Sequence, residues 1–355
     1  MHDEVDVAVG EDWPELRAGV AEICERFPVP YWRDLDRARA YPERFVDALT
    51  EAGYLAALIP EAYGGSGLPI RAAAVILETI HAQGASAAAC HAQMYTMGTV
   101  LRHGSDAQKE RWLPEIAKGG LRLQAFGVTE PSAGTDTTRI TTRAVPQGDG
   151  TWRVSGQKIW TSRALHSDLM LLLARTTPLD RVDKPTDGMS VFLVDLRALQ
   201  GRGVQIQPIE TMINHNTTQV FFDDAVLPAD ALIGEAGSGF RYILDGMNAE
   251  RILIAGESLG DSRWFIDRAV TYARERHVFG RPIGQNQGIQ FPLAEAYAAT
   301  EAADLMARKA AALYDAGLSC GPAANMAKYL TGEAAWQAGE ACMQTFGGFA
   351  FATEY

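Results

Sequence analysis

Gly127-Val-Thr-Glu-Pro-Ser-Ala-Gly-Thr-Asp136, answered by Lys158-Ile-Trp-Thr-Ser162, is the stretch on which the reading of this chain turns. The first segment gathers Thr129, Ser132 and Thr135 around Pro131, Ala133 and Gly134. That composition suits backbone held out of regular pairing, with amides and hydroxyls available to a polar ligand edge. The second segment reads as a strand, in which side chains alternate, so Trp160 and Ser162 are expected on one face. A broad aromatic beside a small hydroxyl suits a flat heteroaromatic cofactor, which needs a surface to pack on and a partner for a ring nitrogen. Taken singly, the segments read better as a Ser/Thr-rich turn and a sandwich strand with a core tryptophan. The pair points to a ligand.

Outward from this stretch the hydrophobic period changes twice. Residues 11–121 carry apolar side chains at helical spacing, as in Trp13, Leu16, Val20, Ile23 and Cys24, or Phe45 and Leu49. Ala72–His91 is Ala-rich and apolar on most sides, which predicts a buried helix. From about residue 122 short β-prone runs take over: Val154, Met170–Leu173, Val191–Val194, Val204–Ile206 and Val220–Phe222, with Thr176–Gly188 as an exposed hairpin loop. After Gly234 the helical period returns and persists to Met343. Helices, a small sheet and helices again make an α+β order without the βαβ alternation of a Rossmann unit. The expected divisions are an N-terminal helical domain (1–121), a central β-domain (122–237) and a C-terminal helical domain (238–355).

A chain of 355 residues is too long for one small core, and a net charge of −12 argues against nucleic acid or an anionic membrane as the main partner. Cys24, Cys90, Cys320 and Cys342 lie far apart, as reduced core thiols do, with no disulfide framework or zinc spacing. The acidic start, Met-His-Asp-Glu-Val-Asp, has neither a signal-peptide core nor an Arg-rich transit pattern, and no apolar run reaches the length of a membrane span. A cytoplasmic location without membrane insertion is expected. No metal is expected, since no His, Cys and carboxylate spacing suggests one, and His81 and His91 read as core or interface residues.

The two opening segments together resemble the acyl-CoA dehydrogenase family of flavoproteins, and further motifs follow in the family's order. They are Pro60-Glu-Ala-Tyr-Gly-Gly-Ser-Gly-Leu68, Gly104-Ser-Asp-Ala-Gln-Lys-Glu-Arg-Trp-Leu-Pro114, Val220-Phe-Phe-Asp-Asp-Ala-Val-Leu-Pro228, Arg276-His-Val-Phe-Gly280 with Gln287, and Gln344-Thr-Phe-Gly-Gly348. The resemblance runs from about residue 40 to the last. It implies the family's fold: an N-terminal helical domain, a central β-domain and a C-terminal four-helix bundle. It also implies FAD as cofactor, an acyl-CoA substrate, an electron-transfer flavoprotein as acceptor, and a homotetramer or homodimer.

Carried over by position, the resemblance assigns Phe126, Val128 and Thr129 to the pyrimidine side of the flavin. Thr135 would stand near both flavin and substrate, Trp160 would flank the isoalloxazine, and Ser162 would hydrogen-bond near N5. Thr161 and Arg163 depart from the usual isoleucine and asparagine. Arg276, Phe279 and Gln287 would hold the adenosine diphosphate moiety, with Gln344, Gly347 and Gly348 approaching it from a neighbouring subunit. Arginine suits pyrophosphate because its fork engages two oxygens. Without the resemblance, Arg276 reads as a solvated helix cation and Gly347-Gly348 as a helix cap.

Dehydrogenation between Cα and Cβ of a thioester needs a base for the α-proton and a hydride acceptor for Cβ, and the base is best a carboxylate in a dry pocket. Many family members carry it near the C-terminus, beyond the position where this sequence stops, Tyr355, so the C-terminal domain reads as incomplete or naturally short. Another candidate lies in the helix beginning near Gly239. Its apolar stripe is expected to run Ile243, Leu244, Met247, Ile254, and the next place after Met247 is filled by Glu250 and Arg251. Asn248-Ala-Glu-Arg-Ile252 resembles the isovaleryl and long-chain branch, in which the base sits at the position of Glu250, and Asn248 and Arg251 would serve the substrate. Read from the residues alone, Glu250 is the more ordinary structural carboxylate paired across the bundle. A monooxygenase or oxidase on the same fold, and a non-catalytic flavoprotein, are the other readings.

Overall fold

The computed structural model describes residues 12–355; the acidic start and the first residues of the expected 1–121 domain lie outside them. In chain order come helices α1 (Pro14–Glu25), α2 (Val29–Ala38), α3 (Glu43–Glu51), α4 (Ile70–Ala82), α5 (Ala88–His103) and α6 (Asp106–Ala117). Strands β1 (Leu123–Gly127), β2 (Arg143–Pro146), β3 (Trp152–Ser162), β4 (Leu169–Arg175) and β5 (Met189–Asp195) follow. After a single turn, α7 (Leu196–Leu199), come β6 (Val204–Pro208), β7 (Thr217–Leu227) and β8 (Leu232–Ile233). Helix α8 (Gly239–Glu275), the hairpin β9 (His277–Val278) and β10 (Arg281–Pro282), and helices α9 (Gln287–Asp315) and α10 (Gly321–Phe346) complete the order. The helix–sheet–helix α+β order is therefore present, with three long helices in the region expected to form a four-helix bundle. The Ala-rich run 72–91 is two helices rather than one, because the chain turns at Gly84, where φ is 72°.

The chain divides into two compact units. One comprises Pro30–Leu68 and Ala88–Met247 and is built on the sheet, whose strands run β6-β7-β3-β2-β4-β5-β8 with β1 parallel to β4. Strand β4 is buried on both faces, as its unbroken apolar sequence requires. Leu169, Leu171 and Leu173 pack with Met97 and Val100 of α5 and Leu113 and Ile116 of α6. Met170 and Leu172 share a second core with Phe192, Ile206, Val220 and Phe222, so the sheet curls over its own opposite face. Each such side chain contributes roughly 1.5–3 kcal/mol by leaving water. Helix α6 starts at a reciprocal cap in which Gln108 N–H donates to Ser105 Oγ (3.2 Å) and Ser105 N–H to Gln108 Oε1 (2.9 Å).

The other unit comprises the N-terminal stretch to Val29, Pro69–Ala87 and Asn248–Tyr355. Here α4 lies against α8 so closely that a Cβ on Gly260 would stand 2.3 Å from the Glu78 carbonyl oxygen. The fully buried Glu78 carboxylate pairs with Arg17 at 3.0 Å and with Arg263, which reaches Asp304 at 3.1 Å, so α1, α4, α8 and α9 are tied by charge. His81 belongs to the same packing, its Nδ1 2.8 Å from Asp261 and its Nε2 accepting from Ala87 N–H. Burial opposes its protonation, but Asp261 and Glu257 outweigh that and raise its pKa. All four cysteines are buried and none forms a disulfide. No helix among the described residues is long and apolar enough to cross a membrane.

Candidate active site

In the sheet-based unit, Glu130 and Ala133 exchange backbone hydrogen bonds of 3.1 Å across Pro131 and Ser132, closing a tight turn after β1. The turn is anchored from behind by a buried ion pair. Lys158 Nζ, at 0% exposure on β3, donates to Glu130 Oε1 and to the Val128 carbonyl, both at 2.9 Å. Glu130 also accepts from Thr141 N–H (2.6 Å), Thr141 Oγ1 (2.8 Å) and Thr142 N–H (2.9 Å), and Ile159 N–H donates to Thr129 O (2.9 Å). Burial alone would favour the neutral forms of both ions. At Glu130 it is outweighed by the Lys158 charge and the surrounding donors, which hold the carboxyl down at about 2. Burial pulls the Lys158 ammonium down to about 8 against the attraction of Glu130, which leaves an ionised pair at neutral pH. The Val128 carbonyl is thus fixed to β3 by the Lys158 side chain and the Thr129 carbonyl by the Ile159 backbone N–H.

The alternation expected through Trp160 is interrupted. Lys158 pairs with Val220 but Thr161 with Thr218, so β3 carries one extra residue against β7, and Trp160 takes φ 61°. A tryptophan in the left-handed region costs of order 1–3 kcal/mol and persists only where its surroundings over-determine it. The bulge leaves the indole 57% exposed while Thr161 is buried, and Ser162 closes the strand opposite Thr217. The Thr161 hydroxyl is buried with no hydrogen-bond partner. Phe126, half-buried on β1, lies 6.1 Å from the Tyr95 ring, and Thr135 is exposed on the loop beyond the turn. A displayed aromatic, a hydroxyl at a strand end and a pinned loop fit the flat face and polar edge of a flavin.

In the helical unit, Arg276 directly follows α8 and leads into a hairpin whose two-residue loop, Phe279-Gly280, has φ of 54° and 78°, the primed turn that hairpin twist favours. Phe279 is fully exposed at its tip although a phenylalanine strains at positive φ. Beside it is a cleft of about 440 Å³ lined by Arg276, Tyr272, Val278, Phe346, Gly348 and Phe349 among others. Tyr272 and Phe346 stack at 4.2 Å, and the Arg276 guanidinium lies 5.9 Å from the Phe349 ring. One chain therefore brings together Arg276 and Gly348, which the resemblance places on neighbouring subunits. Gln287, at the start of α9, and Gln344, in the last turn of α10, are exposed and outside the lining, as are Phe279 and Gly347. Sequence reasoning missed Tyr272 and Phe349; Tyr272 stands one helical turn before Arg276, a signal that was available.

Glu250 lies half-buried on α8. The stripe expected around it is corrected: Tyr242, Ile243, Ala249, Ile252 and Leu253 are buried, whereas Leu244 is 48% exposed. Arg251 Nη1 donates to Asn248 Oδ1 at 3.4 Å, so two residues expected beside the substrate hold each other on one turn. Among the described residues the Glu250 carboxylate has no hydrogen bond or ion pair. Among the described residues, Glu250 therefore lacks the partner that a paired structural carboxylate would have.

A helical, β and helical chain that pins a loop beside a displayed tryptophan has the layout of a flavin-dependent oxidoreductase. Residues 11–120, 125–225 and 237–355 match the N-terminal, middle and C-terminal domains of acyl-CoA dehydrogenase. The chain belongs to the acyl-CoA dehydrogenase family and is an oxidoreductase of that class. It is 34% identical over 350 residues to acyl-CoA dehydrogenase FadE12 of Mycobacterium tuberculosis, covering 97% of this chain and 88% of that one. Among solved structures, a glutaryl-coenzyme A dehydrogenase in complex with glutaryl-CoA superposes with TM-score 0.89 at 30% identity, over 96% of this chain and 86% of that one. A chain from work on the electron transferring flavoprotein of Acidaminococcus fermentans superposes with TM-score 0.90 at 30% identity, over 97% and 90%.

Proposed function

We propose that the protein carries out FAD-dependent α,β-dehydrogenation of an acyl-CoA thioester to the trans-2-enoyl thioester, with Glu250 as base and an electron-transfer flavoprotein as acceptor. The observation that carries this reading is the half-buried, unpartnered Glu250 carboxylate on α8. A structural carboxylate in such a place is normally paired, because burying charge alone is costly. One left free is available to take an α-proton. FAD, when bound, supplies the hydride-accepting centre. The residues of this chain hold and orient: Trp160 packs the isoalloxazine, Val128, Thr129 and Ser162 meet its polar edge, and Thr135 serves flavin and substrate. Arg276 and the aromatic cleft beside it suit adenosine diphosphate, with a cation for phosphate and rings for the base. Asn248 and Arg251 flank the thioester, the arrangement of the isovaleryl and long-chain branch.

The likeness to the chain studied with the Acidaminococcus fermentans electron transferring flavoprotein supports the acceptor. Homo-oligomerisation is supported by Tyr329, Trp336 and Met343, exposed apolar side chains that recur every seven residues along α10.

Anaerobic titration of the FAD-loaded protein with a panel of acyl-CoAs tests the reading. At least one thioester bleaches the visible flavin band, and an enzyme that no thioester reduces while air oxidises its reduced form rapidly is an oxidase instead. A second outcome concerns Trp160. Because φ 61° suits glycine, Trp160→Gly should leave the melting temperature of the flavin-free protein unchanged or higher, while FAD affinity measured by fluorescence falls about tenfold or more through the lost stacking surface.

A further inference from the structure

In the helical unit, guanidiniums from three helices converge on one carboxylate oxygen, Oδ1 of Asp12. Arg17 Nη2 of α1 donates to it at 3.0 Å and Arg308 Nη2 of α9 at 2.9 Å, while Arg71 Nη2 of α4 stops at 3.9 Å, beyond hydrogen-bonding reach. Arg17 Nε also donates to the Asp12 carbonyl at 2.9 Å. Two of the three cations have a second acid: Arg17 reaches Glu78 at 3.0 Å, and Arg308 reaches Asp304 at 3.0 Å. Among the described residues the Arg71 guanidinium has no other acid. Its side chain is 11% exposed, and its Nη2 is buried without a hydrogen-bond partner. Burial, joined by the Arg308 and Arg17 charges, pulls Arg71 down to about 10 against the attraction of Asp304 and Asp12.

A carboxylate offers one charge and two oxygens in a plane, and only one of them is used here. Among the described residues Asp12 Oδ2 accepts no hydrogen bond. Three forks arriving from α1, α4 and α9 match instead an acceptor with a second charge and oxygens in several directions, which is a tetrahedral dianion. Asp12 is a smaller anion than the site is built for. The site also opens to water, since the Asp12 side chain is 58% exposed above arginines that are mostly buried. The backbone that delivers Asp12 is strained: Trp13 takes φ 50° at the start of α1, and its buried Nε1 has no hydrogen-bond partner. A latch held under strain yields readily to a competing ligand.

We infer that Arg17, Arg71 and Arg308 form a binding site for a phosphate-class dianion, in which the Asp12 carboxylate is the chain's own competitor. The test uses the FAD-loaded protein, so that the flavin cleft is filled. Inorganic phosphate is compared with acetate and chloride at equal ionic strength, by calorimetry and thermal unfolding. Asp12→Asn should bind phosphate at least tenfold more tightly than wild type, because the competitor has gone. Without phosphate this variant should melt below wild type, and phosphate, unlike acetate or chloride, should restore it. Asp12→Asn/Arg71→Gln should lose the gain in affinity. Asp12→Asn/Lys309→Gln, which removes an exposed cation on the same helix as Arg308, should keep it. Adenosine monophosphate binding tenfold or more tighter than phosphate marks a phosphate ester as the source, and no such gain marks the free ion. An Asp12→Asn protein that melts low whether or not phosphate is present overturns the site. So does acetate or chloride restoring stability as well as phosphate, or equal phosphate binding by Asp12→Asn and Asp12→Asn/Arg71→Gln.

Discussion

Glu250→Gln is expected to keep its flavin and lose reduction by acyl-CoA, with the rate of bleaching falling by a factor on the order of 10²–10⁴, the usual contribution of a positioned base. The substitution is nearly isosteric and removes only the ability to hold a proton. Because the carboxylate has no partner among the described residues, its replacement breaks no ion pair, so the melting temperature should stay level or rise slightly. A structural glutamate would behave in the opposite way, losing stability with little effect on the rate per bound flavin. Exchange of the substrate α-proton with deuterated water, followed with a thioester that cannot be oxidised, separates the two further: the wild type exchanges and the variant does not. Glu250→Asp keeps the base one methylene short and should recover part of the rate. A Glu250→Gln enzyme reduced as fast as wild type ends the assignment.

Much of this was legible in the sequence. The two changes of hydrophobic period, near residues 122 and 234, locate β1 at Leu123 and α8 at Gly239, because burial of one face imposes its repeat on the residues. The break of the Ala-rich run at Gly84 was not legible, since alanine fits either continuation and only packing against Trp264, close to where a Cβ on Gly84 would be, singles out the turn. The outward Leu244 misled the α8 stripe for a related reason: two inward positions beyond it, Gly246 and Ala249, are small residues that carry little hydrophobic signal. The bulge at Trp160 depends on register with β7, which no local pattern in β3 encodes. The free state of Glu250 depends on what other segments fail to bring near it. Lys158 and Glu130 were in view from the outset as parts of two motifs, but their pairing across 28 positions is a tertiary fact.

That pairing leads to the largest expected effect on stability. Lys158→Met fills the same volume with an apolar side chain and leaves Glu130 buried with its threonine donors but no cation. Removing one partner of a buried pair costs roughly 3–5 kcal/mol, far more than losing a surface bridge. The loss should appear as a lower midpoint in urea unfolding with little change in slope. It should also loosen the flavin, because the Lys158 Nζ bond to the Val128 carbonyl is one of the contacts fixing the loop to β3. Acid stability supplies an independent readout. Glu130 is held at about 2 in the fold against an ordinary value of 4.5, so its contribution is present above about 4.5 and fades as pH falls through about 2. Without the Lys158 charge the folded value moves up, and acid unfolding should begin at higher pH than in wild type. The double variant Lys158→Met/Glu130→Gln removes both charges and should regain much of the loss, as expected when the cost is an uncompensated buried ion rather than the methionine. Equal instability of the single and double variants would show instead that packing around Lys158, not charge, holds the loop.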